Sequence, residues 1–220
     1  MKRRAFLCVT GAVAVVALLG GGVFLGPELY NYHRLEMAMD QQFEAAQAED
    51  GPWPQFAQSC YGCHGPHGRS ANAQYPALAG LPAPYVESQL RAFAVGQRRD
   101  PFMGPLARNL SDEQIKTLAA YYARQAPHQN ENPPSDAALA AKGLAVVQAG
   151  ACVACHGEGV KGKDLAPRLA GQGEAYLARQ LAAYRSGLRR DATGAMNSVA
   201  ASLRDDEIPA VARYLASLSP

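Results

Sequence analysis

The chain has 220 residues, of which 18% are charged, and a formal net charge of +2. So small a charge gives no indication of nucleic-acid binding. The length accommodates two small domains after a targeting segment. No run alternates Val, Ile and Thr as strands do, and alanine is abundant, so we expect an all-α protein.

The N-terminus resembles a membrane segment. Lys2, Arg3 and Arg4 precede residues 5–25, which carry no charge. A helix of that length spans about 30 Å, the thickness of a bilayer's hydrocarbon core. We therefore interpret residues 1–26 as a transmembrane helix whose basic end stays in the cytoplasm, so that the remainder is exported. A cleaved signal peptide is the alternative, although no small-x-small cleavage site ends the run.

Residues 27–52 have the pattern of an amphipathic helical stalk. Apolar side chains recur at spacings of three and four residues, a period typical of helices. They are Tyr32, Leu35, Met39, Phe43 and Ala46. The stripe suits either a stalk leaving the membrane or a helix that packs on the first domain or on a partner.

Four of the five cysteines form two copies of one motif. The copies are Cys60-x-x-Cys63-His64 and Cys152-x-x-Cys155-His156. Cys-x-x-Cys-His is the pattern of covalent haem attachment, because two thiols on one helical turn can each form a thioether with a haem vinyl group and the histidine then faces the iron. We predict two covalently bound haem c groups, with His64 and His156 as iron ligands.

Other roles for paired cysteines fit less well. In structural zinc sites the two pairs usually lie about 15–20 residues apart, whereas most of a domain separates these. A thioredoxin-like dithiol needs a βαβ context, and none is visible. Disulfides are plausible in an exported protein, but they do not explain a histidine after both pairs.

The chain also repeats itself, which indicates two copies of one domain. The matching positions are Pro76 to Gly80 with Pro167 to Gly171, Tyr85 with Tyr176, Gln89 with Gln180, Gly96 to Asp100 with Gly187 to Asp191, and Tyr121 with Tyr214. We place the domains at residues 53–126 and 137–220, joined by a Pro- and Asn-rich linker at 127–136. Ser111 and Gln114 predict a capping box at the start of the first domain's last helix.

Each copy contains one methionine in the loop before its last helix, Met103 and Met196. A single Met is usually core filler, but one at the equivalent place in each copy predicts a second axial ligand to iron. The remaining histidines, His33, His67 and His128, have no such pairing, and we interpret them as surface residues.

Iron held by His and Met has no open position for oxygen, peroxide or another substrate, and thioether sulfur favours the reduced state. These ligands therefore predict a carrier of single electrons with no catalytic residues and no small-molecule substrate. Pro76 and Pro167 can each offer a carbonyl to the second ring nitrogen of a haem histidine, which would fix the ring. From the residues alone, it is equally plausible that the two prolines only mark the positions of loops.

Over residues 53–219 the chain resembles the dihaem cytochrome c4 family, on the two haem motifs, the repeated Pro-x-Leu-Ala-Gly and Gly-x-Arg-Arg-Asp stretches, and Met103 and Met196. The resemblance implies two tandem class I cytochrome c domains with pseudo-twofold symmetry and with their haem edges near each other. It also implies the proline-to-histidine hydrogen bonds at Pro76 and Pro167. The implied role is periplasmic electron transfer, from the cytochrome bc1 complex to a haem–copper terminal oxidase.

Two departures from the family pattern stand out. Residues 136–151 fit the first helix of a class I domain, with Gly143 suited to a close helix crossing, but residues 51–56 are too broken by Pro and Gly for the same helix. An uncleaved anchor would hold the protein on the inner membrane of a Gram-negative bacterium, facing the periplasm.

Two other functions stay open on the sequence. The chain could be the electron-accepting subunit of a sulfide or alcohol dehydrogenase. It could also be a catalytic dihaem enzyme, such as a peroxidase or a thiosulfate dehydrogenase, but Met103 and Met196 argue against the open haem that such an enzyme needs.

Overall fold

The computed structural model describes residues 26–38, 41, 54–128, 136–150 and 152–220. The predicted membrane helix lies outside the described residues except for Gly26, and so does most of the predicted linker. No helix in the described part of the chain is long and apolar enough to cross a bilayer.

The described secondary structure is helical, apart from an isolated bridge between Lys163 and Ala166. Residues 26–38 form α1. The following helices are α2 (Pro54–Gln58), α3 (Tyr61–His64), α4 (Ala83–Ala94), α5 (Met103–Arg108), α6 (Asp112–Arg124), α7 (Ala137–Ala149), α8 (Val153–His156), α9 (Glu174–Arg185), α10 (Ala195–Ala201) and α11 (Glu207–Ser217). Single 3-10 turns at Pro66–Gly68 and Glu158–Val160 follow α3 and α8.

The chain divides into two compact units, residues 1–54 and 55–220. In the first unit, α1 carries two members of the predicted apolar stripe, Tyr32 and Leu35, and both are exposed. The other three members of the stripe lie outside the described residues.

In the second predicted domain, α11 packs against α7 and α9. The core of this domain consists of aliphatic side chains, including Val147, Leu177 and Leu215. The predicted close crossing at Gly143 is confirmed, because a Cβ there would overlap the carbonyl of Ala210 and lie 2.7 Å from the Tyr214 Cβ. Only glycine lets α7 approach α11 so closely.

The first predicted domain has a shorter N-terminal helix, as its broken sequence predicts. The five residues of α2 contribute Ala57, which is buried against Tyr121 and Tyr122 of α6. The predicted capping box is confirmed: the backbone N–H of Gln114 donates to Ser111 Oγ (3.2 Å), and the backbone N–H of Ser111 donates to Gln114 Oε1 (2.8 Å). Helix α6 in turn packs on α4, which also contacts α5.

Within residues 55–220 the two domains meet through polar side chains that bind backbone. The buried Gln172 amide accepts from the Ala77 N–H (2.7 Å) and donates to the Ala77 carbonyl (3.0 Å). The buried Arg168 guanidinium donates to the carbonyls of Ala79 (3.1 Å) and Ala170. The loops that follow Pro76 and Pro167 are therefore joined directly.

Candidate haem centres

Each cysteine motif closes a single helical turn. In the first motif the backbone N–H groups of Cys63 and His64 both donate to the Cys60 carbonyl, at 3.3 and 3.0 Å. In the second motif the His156 N–H donates to the Cys152 carbonyl at 3.0 Å. The four thiols form no disulfide. Both turns thus present two thiols and one imidazole, the arrangement that thioether attachment needs.

Both motif histidines are buried and oriented by a proline carbonyl. His64 Nδ1 lies 2.9 Å from the Pro76 oxygen, and His156 Nδ1 lies 2.8 Å from the Pro167 oxygen. These are the contacts expected from the family resemblance. A carbonyl can only accept, so Nδ1 carries the hydrogen and Nε2 keeps its lone pair for a metal. Burial lowers the pKa of both histidines, which favours the neutral form that binds iron.

A cavity of about 1840 Å³, lined mainly by the second domain and partly by first-domain residues between Tyr85 and Arg99, brings the predicted site residues of the second domain together. Cys152, Cys155, His156, Pro167 and Met196 all line it. Much of the remaining wall is aliphatic, and includes Val146, Leu169, Leu181, Val199, Val211 and Leu215. An apolar cavity with thiols, an imidazole and a thioether on its wall fits a covalently attached haem.

The two methionines occupy corresponding places. Met103 is the first residue of α5, and Met196 lies in the first turn of α10. Both side chains are half-buried. Met196 lines the same cavity as His156. Their ligation of iron stays a prediction.

An aspartate holds each methionine segment, which the sequence reasoning missed. Asp100 Oδ1 accepts from the backbone N–H groups of Phe102 (2.9 Å) and Met103 (2.8 Å). Asp191 Oδ1 accepts from the Met196 N–H (3.1 Å), and its Oδ2 accepts from the Thr193 hydroxyl (2.6 Å). The signal was present, because Asp is a common N-terminal cap and both repeats place it just before the methionine helix.

His67, interpreted as a surface residue, makes a hydrogen bond that the sequence did not predict. His67 is half-buried, and its Nδ1 lies 3.1 Å from the Tyr121 hydroxyl. Its backbone adopts a left-handed conformation (φ 55°), as does Gly159 (φ 62°) at the equivalent place in the second repeat. The hydrogen bond offsets the strain of a side chain at positive φ. His33 is exposed as expected, whereas His128 is half-buried.

A crossed arginine network joins the domains, and the sequence reasoning did not predict it. Arg98 donates to its own domain's Gln89 (2.8 Å) and across the interface to the Tyr176 hydroxyl (3.0 Å) and Gln180 (3.1 Å). Arg189 repeats this arrangement in the opposite direction. It donates to Gln180 (2.7 Å), to the Tyr85 hydroxyl (3.1 Å) and to Gln89 (2.8 Å). These six residues are three repeat-related pairs, so the network has pseudo-twofold symmetry.

Comparison with known proteins identifies the family. The family model for cytochrome c matches the chain twice, over residues 54–124 and 140–219. The crystal structure of reduced recombinant cytochrome c4 from Pseudomonas stutzeri has a TM-score of 0.70 and 32% identity to this chain, and the match covers 79% of this chain and 98% of that one. The chain belongs to the dihaem cytochrome c4 family. As a cytochrome c4 it is an electron carrier with two covalently bound haem c groups, one at each motif.

Two further relatives of this cytochrome c4 are connected with thiosulfate oxidation. The thiosulfate dehydrogenase electron acceptor of Thiomonas intermedia (strain K12) is 40% identical over 190 residues, which are 81% of this chain and 88% of that protein. A thiosulfate dehydrogenase from Marichromatium purpuratum has a TM-score of 0.67 and 38% identity, over 73% of this chain and 36% of that chain. This cytochrome c4 therefore corresponds to about a third of the larger protein.

Proposed function

We propose that this cytochrome c4 accepts electrons from a thiosulfate dehydrogenase and passes them singly to a further redox protein. The main support is the 40% identity to an electron acceptor of thiosulfate dehydrogenase, over 88% of that protein's length. The match to part of a thiosulfate dehydrogenase chain supports the same partner. This role is of the same kind as the dehydrogenase-acceptor alternative of the sequence analysis, but that alternative named a sulfide or alcohol dehydrogenase as the partner.

The residues at each centre suit a carrier. A bound haem c supplies one-electron oxidation and reduction of its iron. The thiols of Cys60, Cys63, Cys152 and Cys155 would hold the two groups covalently. His64 and His156 would bind iron through Nε2, because a proline carbonyl engages Nδ1 in each ring.

We propose Met103 and Met196 as the second axial ligands. Asp100 and Asp191 fix the backbone of the two methionine segments, and Met196 shares the apolar cavity of the second centre with His156. A thioether on the second face leaves no position for a substrate and favours reduced iron. The aliphatic part of the cavity wall also favours the less charged, reduced state.

The test is reduction by purified partners. Oxidised holoprotein is mixed with thiosulfate dehydrogenase, and haem reduction is followed by absorbance after thiosulfate is added. We expect both haems to be reduced at a rate that depends on the concentration of the cytochrome. Reduction no faster than without the dehydrogenase would contradict the proposal, provided that dithionite reduces the same sample fully.

A second candidate is the route from the cytochrome bc1 complex to a haem–copper terminal oxidase, which membership of the cytochrome c4 family supports. We also propose that residues 1–26 anchor the protein to the inner membrane, facing the periplasm, because the uncharged run 5–25 is long enough to span it. Quinol-driven reduction through purified bc1 complex, with thiosulfate absent, tests the route. Recovery of the intact N-terminal peptide from detergent-extracted membranes tests the anchor.

A further inference from the structure

The crossed arginine network contains two positive charges that no carboxylate of the described residues binds. In the part of the chain that the structure describes, Arg98 and Arg189 bind only amide oxygens and phenol hydroxyls. Arg98 also stacks on Phe93, and Arg189 stacks on Tyr184, at 4.5 Å in each case. Arg189 is only 6% exposed. Buried charges are normally paired, so two cations sharing neutral partners indicate a site for an anion.

The tyrosine between the arginines responds to this excess positive charge. Burial raises the pKa of Tyr176, but the charges of Arg98 and Arg189 and the hydrogen bonds with Arg98 and Tyr85 together outweigh burial and lower this pKa. A phenol is thus made more acidic at a site where burial alone would make it less acidic. The network favours negative charge at this point of the interface.

The second haem cavity extends to this network. Besides the second-domain residues, its wall includes Tyr85, Gln89 and Arg98 of the first domain. Arg98, a residue of the first domain, therefore faces the cavity of the second domain's haem.

We propose that Arg98 binds a propionate carboxylate of the haem in the second domain, and that Arg189, its counterpart in the repeat, does the same for the haem in the first domain. A haem carries two propionates, and guanidinium groups bind carboxylates with two parallel hydrogen bonds. Each domain then supplies the cation that neutralises the other domain's haem. Either haem's reduction potential consequently depends on both halves of the chain, whichever partner delivers electrons.

The experiment measures both midpoint potentials of the holoprotein by redox titration, with haem methyl NMR signals assigning each midpoint to its haem. The variants are Arg98→Gln and Arg189→Gln. Loss of a cation near a haem stabilises the more positive, oxidised iron, so we expect the midpoint of the opposite domain's haem to fall. A change of about tenfold in the oxidised-to-reduced ratio corresponds to about 59 mV for one electron.

Arg179→Gln is the matched control. The exposed Arg179 also joins the domains, by donating to the Gln74 side chain (2.6 Å) and carbonyl (2.6 Å), but it does not line the cavity. We expect this variant to keep both wild-type midpoints. Arg98→Lys and Arg189→Lys keep the charge and should lie between wild type and the Gln variants. They also replace the Gln variants if those fail to fold.

The alternative is that the arginines only hold the domains together. The Gln variants would then lower the unfolding temperature and leave both midpoints within the range of Arg179→Gln, and the proposal would be wrong. It would be equally wrong if the Lys variants shifted the midpoints as far as the Gln variants. Thiosulfate dehydrogenase takes no part in these titrations, so their outcome is independent of the partner proposed above.

Discussion

Single residues in this cytochrome c4 decide how firmly each methionine is held. Asp100 and Asp191 accept hydrogen bonds from the backbone of the two methionine segments, and Asn197 binds the second segment to the backbone before it. The Asn197 side-chain amide donates to the carbonyls of Tyr184 and Arg189, at 2.8 Å each. These bonds fix the backbone of the two segments that carry the methionines, which we propose as thioether ligands to iron.

Replacing either methionine by alanine should open one haem. We expect Met103→Ala and Met196→Ala each to allow carbon monoxide binding to one reduced haem and to lower that haem's midpoint potential, because the sulfur that favours reduced iron is gone. Absorbance spectra with and without carbon monoxide measure the first effect. The wild-type protein should bind none, and native spectra in both variants would show that the ligand assignment is wrong.

Loss of Asp191 should affect carbon monoxide binding measurably, but less than loss of Met196 itself. Asp191→Ala removes the acceptor for the Met196 and Thr193 N–H groups, so we expect slow carbon monoxide binding at the second haem alone. Asp191→Asn retains an oxygen acceptor and is the matched control. Equal rates in the two variants would mean that the hydrogen bonds do not hold the methionine.

At the scale of helices, the two domains differ in what packs against their last helix. The second domain packs the long helix α7 against α11, and the first domain replaces α7 by the five residues of α2. Tyr122, almost fully buried, stands where the second repeat has Leu215, and it packs against Ala57 of α2. A larger side chain on the last helix thus fills space that a longer first helix would otherwise cover.

Gly143→Ala should destabilise the second domain. A Cβ at Gly143 has no room between α7 and α11, and overpacking of this kind costs about 1–3 kcal/mol, more than the helix propensity gained. Gly104→Ala is the control, because the nearest atom to its Cβ would lie 3.9 Å away. Denaturant unfolding of the holoproteins should show a lower free energy of unfolding for Gly143→Ala and an unchanged one for Gly104→Ala.

The whole haem-binding unit depends on contacts between residues far apart in the chain. Gln172 satisfies both backbone groups of Ala77, and Arg168 binds the Ala79 carbonyl, although about ninety residues separate each pair. Arg168 is buried with its Nε unpartnered, and burial lowers its pKa to about 10. The interface is therefore specified by hydrogen bonds rather than by apolar area alone.

Gln172→Ala should weaken this interface. It leaves the buried N–H and carbonyl of Ala77 without partners, which costs about 1–3 kcal/mol for each unsatisfied group. We expect a lower unfolding temperature and faster hydrogen exchange at the Ala77 amide. Arg179→Ala, which removes an exposed interdomain contact, should change either quantity little. Unchanged exchange at Ala77 would contradict the assigned role of Gln172.

The features that the sequence predicted correctly depend on residues close together in the chain or on the internal repeat. The haem motifs, the cap at Ser111 and the crossing at Gly143 each follow from residues close together in the chain. The crossed arginines could not be predicted this way, because the repeat shows that Arg98 and Arg189 are equivalent but not that each reaches into the other domain. The hydrogen bond between His67 and Tyr121 could not be predicted either, because the two residues lie far apart in the chain.

The binding of Ala77 by Gln172 has a consequence for the order of the two halves. Arg168 and Gln172 occupy the positions at which the first repeat has Ala77 and Leu81, so only the second half can recognise the backbone of the first. A chain made of two second halves would place a long cationic side chain where the small methyl group of Ala77 now fits. The two repeats are therefore not interchangeable, because each half carries interface residues that the other half lacks.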